Sequence, residues 1–255
     1  MNGVRRFLRW YQFVVPLTLF PLSYLLWLRR YDGDHSLVLL ALSLPVVFAY
    51  VVPGLGTNWL GLWEINTRFR IGRFRPHHGF VFGTATSLFG LVCVPEAAAG
   101  FSLGACLRAG LVTGSVIGFW NWLYDTYAIK SGFISIYTRL AAEGQPAEVV
   151  ATSHAPVYFG VFGACYGVCL QLVDALSAGR NRGVYVALGL AGNLAAVVFP
   201  VLAYVLWSLA TQGESGLKAY RTKGGRQDEP ERREVELVPV GRVRVSRPGR
   251  IVVER

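Results

Sequence analysis

The stretch whose reading decides the fold is Gly110-Leu-Val-Thr-Gly114-Ser-Val-Ile-Gly118-Phe-Trp-Asn121-Trp-Leu-Tyr-Asp125. It opens as an apolar helix with glycine at every fourth position and closes in aromatic, amide and carboxylate groups. At about 100° per residue, Gly110, Gly114, Gly118, Asn121 and Asp125 fall within an arc of roughly 80° on one helix face. Glycine on an apolar helix lets a second helix approach closely, so this face is expected to look into the protein and away from lipid. Asn121 and Asp125 then continue a buried seam.

The rest of the chain has the same membrane character. Its mean hydropathy is +0.40 and only 16% of its 255 residues are charged, against about 25% in soluble domains. Apolar runs near Phe13–Leu28, Ser36–Val52, Gly79–Val94, Leu103–Tyr124, Ala155–Val173 and Val184–Leu209 read as about six transmembrane helices. The fold class expected is an all-α polytopic membrane protein. The first run follows Arg5, Arg6 and Arg9 but ends in Trp27-Leu28-Arg29-Arg30 without a small-x-small site, so it reads as a retained span and not a signal peptide. Asn193 and Pro200 mark where the last span could break.

Positive charge sets the orientation. Arg5, Arg6 and Arg9, then Arg68, Arg70, Arg73 and Arg75, then the arginine-rich tail fall on one side of such a six-span layout, with Asp32, Asp34 and Glu96 on the other. Both termini are expected in the cytoplasm. Lysine appears only at Lys130, Lys218 and Lys223 among abundant arginine. This balance suggests a GC-rich bacterial source and hence a multi-pass protein of the cell inner membrane. The domains expected are a transmembrane unit over 1–212 and a basic cytosolic tail over 213–255. In the tail, a charged link (KAYRTKGGRQDEPERRE) precedes alternating apolar and polar residues around Pro248-Gly249, the pattern of a short β-hairpin. The net charge of +10 does not imply nucleic acid, since no soluble domain is left to bind it.

Three distant polar segments reach one depth in this topology: the loop from Thr57 to His78, the end of the fourth span, and the start of the fifth. Ionisable groups there are costly and usually face a cavity or a partner. Asp125, His154, Glu64 and Asn121 are the candidate catalytic residues. Asp125 can act as an acid if burial keeps it protonated, and histidine titrates near neutral pH. Arg68, Arg70, Arg73 and Arg75, interleaved with Phe69, Ile71 and Phe74, read as a cradle for an anionic head group or as positive-inside anchoring to anionic lipid. Trp120, Tyr124 and Tyr158 complete the expected substrate-binding set. A segment beginning at His78 echoes one beginning at His154, with Phe82-Gly83 matched to Phe159-Gly160, which suggests an internal repeat.

No metal set or cofactor is assigned. Cys165 and Cys169 read as small packing residues. Four histidines are too few for a histidine-rich di-iron site; a mononuclear site built from His77 or His78 with His154 and either Asp125 or Glu64 is the lesser alternative. No Walker loop, GxSxG, HExxH, aspartate-rich prenyl-diphosphate motif or dinucleotide fingerprint is present. The expected function is an integral membrane enzyme acting on a lipid or isoprenoid at the cytosolic interface by acid–base chemistry. A non-enzymatic membrane-complex subunit or assembly factor, docking partners through glycine seams or the tail, is the alternative. A small transporter is the second alternative.

Overall fold

Each long apolar run is a helix, and short polar turns with identifiable stop signals separate them. The computed structural model describes residues 2–95, 100–176, 182–222 and 237–239. Helix α1 covers Asn2–Arg30 and α2 His35–Gly54, the latter continuing into a π-helical turn over Leu55–Trp59. Strand β1 (Trp63–Ile65), α3 (His78–Cys93), α4 (Leu103–Lys130) and β2 (Ile134–Ile136) follow. Then come α5 (Arg139–Ala142), α6 (Ala147–Thr152), α7 (Ala155–Leu176), α8 (Arg182–Gln212), β3 (Tyr220–Thr222) and β4 (Leu237–Pro239).

Asp34 starts α2 by accepting from the backbone N–H of Ser36 at 2.9 Å, and Ser102 starts α4 by accepting from Ala105 N–H at 3.3 Å. Gly132 ends α4. Its φ of 65° suits the left-handed residue after a helix, and Gly132 N–H and Phe133 N–H close back onto Ile129 and Ala128 at 2.9 Å each. The chain thereby turns directly into β2.

Five segments are long and apolar enough to cross a membrane: Gly3–Arg30, His35–Trp59, Leu103–Lys130, Ala147–Leu176 and Arg182–Gln212. Helix α3, expected as a sixth span, is apolar but has only 16 residues, about 24 Å at 1.5 Å per residue. Helix α8 runs unbroken through Asn193 and Pro200, contrary to the expected break; Asn193 Nδ2 donates to Gly189 O at 2.8 Å and Ser43 Oγ at 3.2 Å instead. The tail also differs from expectation. Strand β3 lies inside the stretch read as a flexible link and pairs antiparallel with β4, Tyr220 opposite Pro239. The hairpin expected around Pro248-Gly249 lies outside the described residues.

Helix α7 is central, packing against α4, α8, α2 and α3. Its contact with α4 is the closest kind two helices can make. A Cβ built on Gly114 would stand 2.6 Å from Gly160 O, and one on Gly163 would stand 2.9 Å from Gly114 Cα. The face carrying Gly110, Gly114 and Gly118 therefore does look into a neighbouring helix. On the other side of α7, Phe162 stacks on Phe48 of α2 with ring centroids 3.9 Å apart, among buried Leu44, Tyr166 and Leu170. The outward faces of α1, α4 and α8 show Leu17, Leu25, Leu107, Leu111, Leu190 and Leu206, as a lipid-facing surface does.

The two ends are closed differently. At one, buried Arg30 donates to Val94 O at 2.6 Å and Pro95 O at 3.1 Å and pairs with Asp174, joining α1, α3 and α7. At the other, β1 pairs antiparallel with β2, Glu64 opposite Ser135. Asn66 N–H to Phe133 O (2.8 Å) and Tyr137 N–H to Leu62 O (2.7 Å) extend that ladder. Leu8 of α1, Ile65, Ala128, Phe133 and Ile134 form a small core beneath it.

Gly114→Leu is expected to abolish the monodisperse fraction in detergent size exclusion, because overpacking costs about 1–3 kcal/mol or more where only backbone can give way. Ser115→Leu, one residue away on an exposed position, should leave that fraction intact.

Candidate functional site

The polar turns at the strand-capped end enclose a cavity of about 260 Å³. Phe48 and Val52 of α2, Phe82 of α3, Phe159 of α7 and Val197 and Val201 of α8 make it apolar. Leu62, with Trp63, Ile134 and Ile136 of the paired strands, closes it. The polar side chains reaching it include Asn121, Tyr124 and Asp125 of α4, His78, Thr138, His154 and Tyr158.

Helix α4 presents Asp125 at the end of its glycine face, and His154 sits at the turn between α6 and α7. Trp122 Nε1 donates to Thr152 Oγ1 at 2.9 Å, and Lys130 pairs with Glu148, so α6 is held against α4. His154 Nε2 then lies 3.1 Å from Asp125 Oδ2, with both side chains mostly buried. The other ring nitrogen, Nδ1, is 2.9 Å from Val150 O. A carbonyl only accepts, so Nδ1 carries a hydrogen. The Asp125 contact therefore holds one proton, either on an imidazolium facing a carboxylate or on a carboxylic acid facing a neutral ring. Asn121 lines the same wall, its Nδ2 donating to Ile117 O at 2.9 Å.

His78 is oriented by a different chain of contacts. Arg75 is 2% exposed, lies 5.8 Å over the Phe133 ring, and donates from Nη1 to Gln12 Oε1 at 3.2 Å and from Nε to His78 Nδ1 at 3.0 Å. Gln12 in turn donates to Thr67 Oγ1 at 3.4 Å. A guanidinium does not release its proton, so His78 Nδ1 accepts and the hydrogen of the neutral ring sits on Nε2. His77 points elsewhere, stacked between Phe13 (5.1 Å) and Phe69 (5.4 Å). Burial first, and the Arg75 charge second, hold its imidazole below the ordinary value.

The other expected site residues are dispersed. Tyr124 and Tyr158 line the cavity. Trp120 faces outward, 48% exposed and stacked on Phe89. Glu64 lies outside the cavity, accepting from Tyr137 Oη at 2.5 Å and from Arg70 at 3.3 Å. Arg68 and Arg70 are exposed and Arg73 is half-buried over Gly61, so these three do not converge with Arg75 into one cradle. The sequence reading missed Thr138 and the two strands. The alternation Ile134-Ser135-Ile136 was their one signal. Cys169 packs against Gly192, and among the described residues no group of three His, Cys, Asp or Glu stands close enough to hold a metal ion. Comparison with protein families, with curated proteins and with solved structures returned no match to this chain.

His77 makes folding acid-sensitive. Its folded pKa is depressed, so the unfolded chain takes up protons first and stability falls as pH drops below the unfolded value near 6.5. Thermal unfolding at about pH 7.5 and about pH 5.5 should show a larger loss for the parent protein than for His77→Phe.

Proposed function

We propose that the chain is an integral membrane enzyme that acts on a lipid or isoprenoid at the cytosolic face of the membrane by acid–base chemistry. One observation carries this reading: a carboxyl and an imidazole in direct contact, Asp125 with His154, on the wall of a mostly apolar cavity. An ionisable pair at membrane depth is costly to keep and commonly marks a site of function. The pair holds one mobile proton. Given to one carbon of an unsaturated chain and recovered from another, that proton shifts a double bond or closes a ring with no net change in protonation. Phe48, Phe82 and Phe159 form the wall along which the apolar chain lies.

Six crossings with both termini in the cytoplasm are part of the proposal. Helix α3 runs from His78 at the cavity to Cys93, and Arg30 at the far end of α1 holds the carbonyl of Val94 just beyond it; it thus runs beside α1 from Phe13 to Arg30. Leu8 and Val4 pack beside the strands, which sets Arg5, Arg6 and Arg9 at the same end as Arg68, Arg70 and Arg73, and positive charge favours the cytosolic side. The exposed ones, Arg6, Arg9, Arg68 and Arg70, serve as contacts to anionic lipid. The arginine-rich composition supports a bacterial inner membrane.

The subunit reading keeps a specific observation of its own. An open apolar groove follows the outer side of the α4–α7 contact, lined by Gly110, Gly114, Gly118, Pro156, Gly160 and Ala164, where a partner helix could lie.

Asp125→Asn keeps the shape but removes the shared proton. In a deletion strain, lipid extracts analysed by mass spectrometry should show the variant accumulating normally in the membrane while product falls by about 10²-fold or more. Full complementation by Asp125→Asn would remove the enzyme reading and favour the subunit.

A further inference from the structure

Hydrogen-bonding capacity inside the cavity is unbalanced. The hydroxyls of Tyr158 and Thr138 are buried, line the cavity, and have no hydrogen-bond partner among the described residues. His78 adds a ring whose Nδ1 is occupied by Arg75, leaving Nε2–H as a donor that cannot become a base while Arg75 holds the other side. Buried polar groups are ordinarily paired, and an orphan hydroxyl is costly. Together they form a set of donors waiting for an oxygen.

Charge narrows what that oxygen belongs to. Among the described residues no arginine or lysine lines the cavity. Arg75 stands behind His78 and is engaged by Gln12, while Arg70 is on Glu64 at the surface. A phosphate or diphosphate here would put fixed negative charge beside Asp125 with no arginine or lysine in contact to balance it, which burial penalises heavily. A carbonyl or hydroxyl oxygen carries only partial charge, and the Arg75–His78 arrangement polarises it from behind. Size narrows it further. Since a cavity of about 150 Å³ holds benzene, roughly ten non-hydrogen atoms fit here, about the size of a two-isoprene-unit molecule bearing a single oxygen.

We infer that this cavity takes an uncharged, oxygen-bearing isoprenoid, an aldehyde, ketone or alcohol, whose oxygen accepts from His78 Nε2–H and from the Tyr158 or Thr138 hydroxyl, and that it does not take a phosphorylated one. The inference rests on the proposed reading of the Asp125–His154 cavity as the substrate site. It assigns His78, Tyr158 and Thr138 to oxygen recognition and leaves proton transfer with Asp125 and His154.

The test uses the purified full chain in detergent micelles with three probes of one carbon skeleton size: geranial, geranyl diphosphate and the hydrocarbon myrcene. Binding is read from tryptophan fluorescence, since Trp63 lines the cavity, with Trp63→Phe as the signal control. Geranial should bind saturably and about tenfold or more tighter than either competitor. Tyr158→Phe and Thr138→Val remove an unpaired hydroxyl without changing volume. Each should leave the ligand-free melting temperature equal or higher while weakening geranial severalfold. A merely structural role would lower the melting temperature instead. In ¹⁵N spectra of histidine-labelled protein, His78 should be the Nε2–H tautomer and should shift on geranial addition.

Geranyl diphosphate binding as tightly as geranial, myrcene binding as tightly, or geranial affinity unchanged in both hydroxyl variants would each overturn the inference. The enzyme reading fails separately. If Asp125→Asn still complements in the strain but geranial binding depends on Tyr158 and Thr138, the cavity is a binding site without chemistry. If geranial fails and Asp125→Asn remains inactive, the chemistry stands and only the substrate class is wrong.

Discussion

Backbone meets backbone where α4 crosses α7, and the remaining architecture depends on that approach. Apolar side chains gain little by leaving lipid for one another, so helices in a bilayer associate through close packing and polar contacts. Gly110, Gly114 and Gly118 on one helix and Gly160, Gly163 and Gly167 on the other let backbone approach backbone, with only Thr113, Ile117, Ala164 and Val168 filling the spaces between them. The consequence lies at the end of the seam. Asp125, one turn beyond Asn121 on the glycine face, arrives beside His154 because the helices are already in contact two turns earlier. A larger residue at Gly114 would displace both members of the pair.

The cavity beside that pair depends on a second constraint, the joining of two loops far apart in the chain. Strands β1 and β2 are three residues each, too short to be stable alone. They hold because Leu8, Phe133 and Ile65 pack beneath them and because Asn66 and Tyr137 extend the hydrogen bonding. Beneath the same strands a buried polar chain runs from Thr67 through Gln12 and Arg75 to His78. Burying a guanidinium is expensive unless its donors are engaged, and here each contact also serves orientation. The arrangement sets His78 in a single tautomer facing the cavity that Asp125 and His154 share.

The helical membrane class, the buried glycine face and the nearness of Asp125 to His154 were legible because each follows from spacing alone. Periodicity puts Gly114 and Asp125 on one face, and two ends of adjacent spans must lie at one depth. The arginines were not legible in this way. Arg73 and Arg75 are two residues apart with similar neighbours, yet Arg73 lies over Gly61 near the surface while Arg75 is enclosed by Gln12, Phe133 and His78. His78 is near both in the chain, and the two groups that decide between them, Gln12 and Phe133, come from α1 and from the loop after α4. Trp120 and Trp122 are a similar case. One faces outward on Phe89 and the other reaches Thr152, because a shift of two positions turns a helical side chain by about 200°.

Sequence alone thus determined that this chain is a helical membrane protein with a close-packed glycine seam ending in a carboxylate, because hydropathy and helical period are properties of neighbours along the chain. Only the tertiary structure decided which ionisable groups share a cavity, which arginine is buried, and which hydroxyls are left without partners. Those outcomes depend on side chains that meet across sixty or more positions, such as Gln12 with Arg75 and Asn66 with Ser135, and no local pattern encodes where such partners will stand.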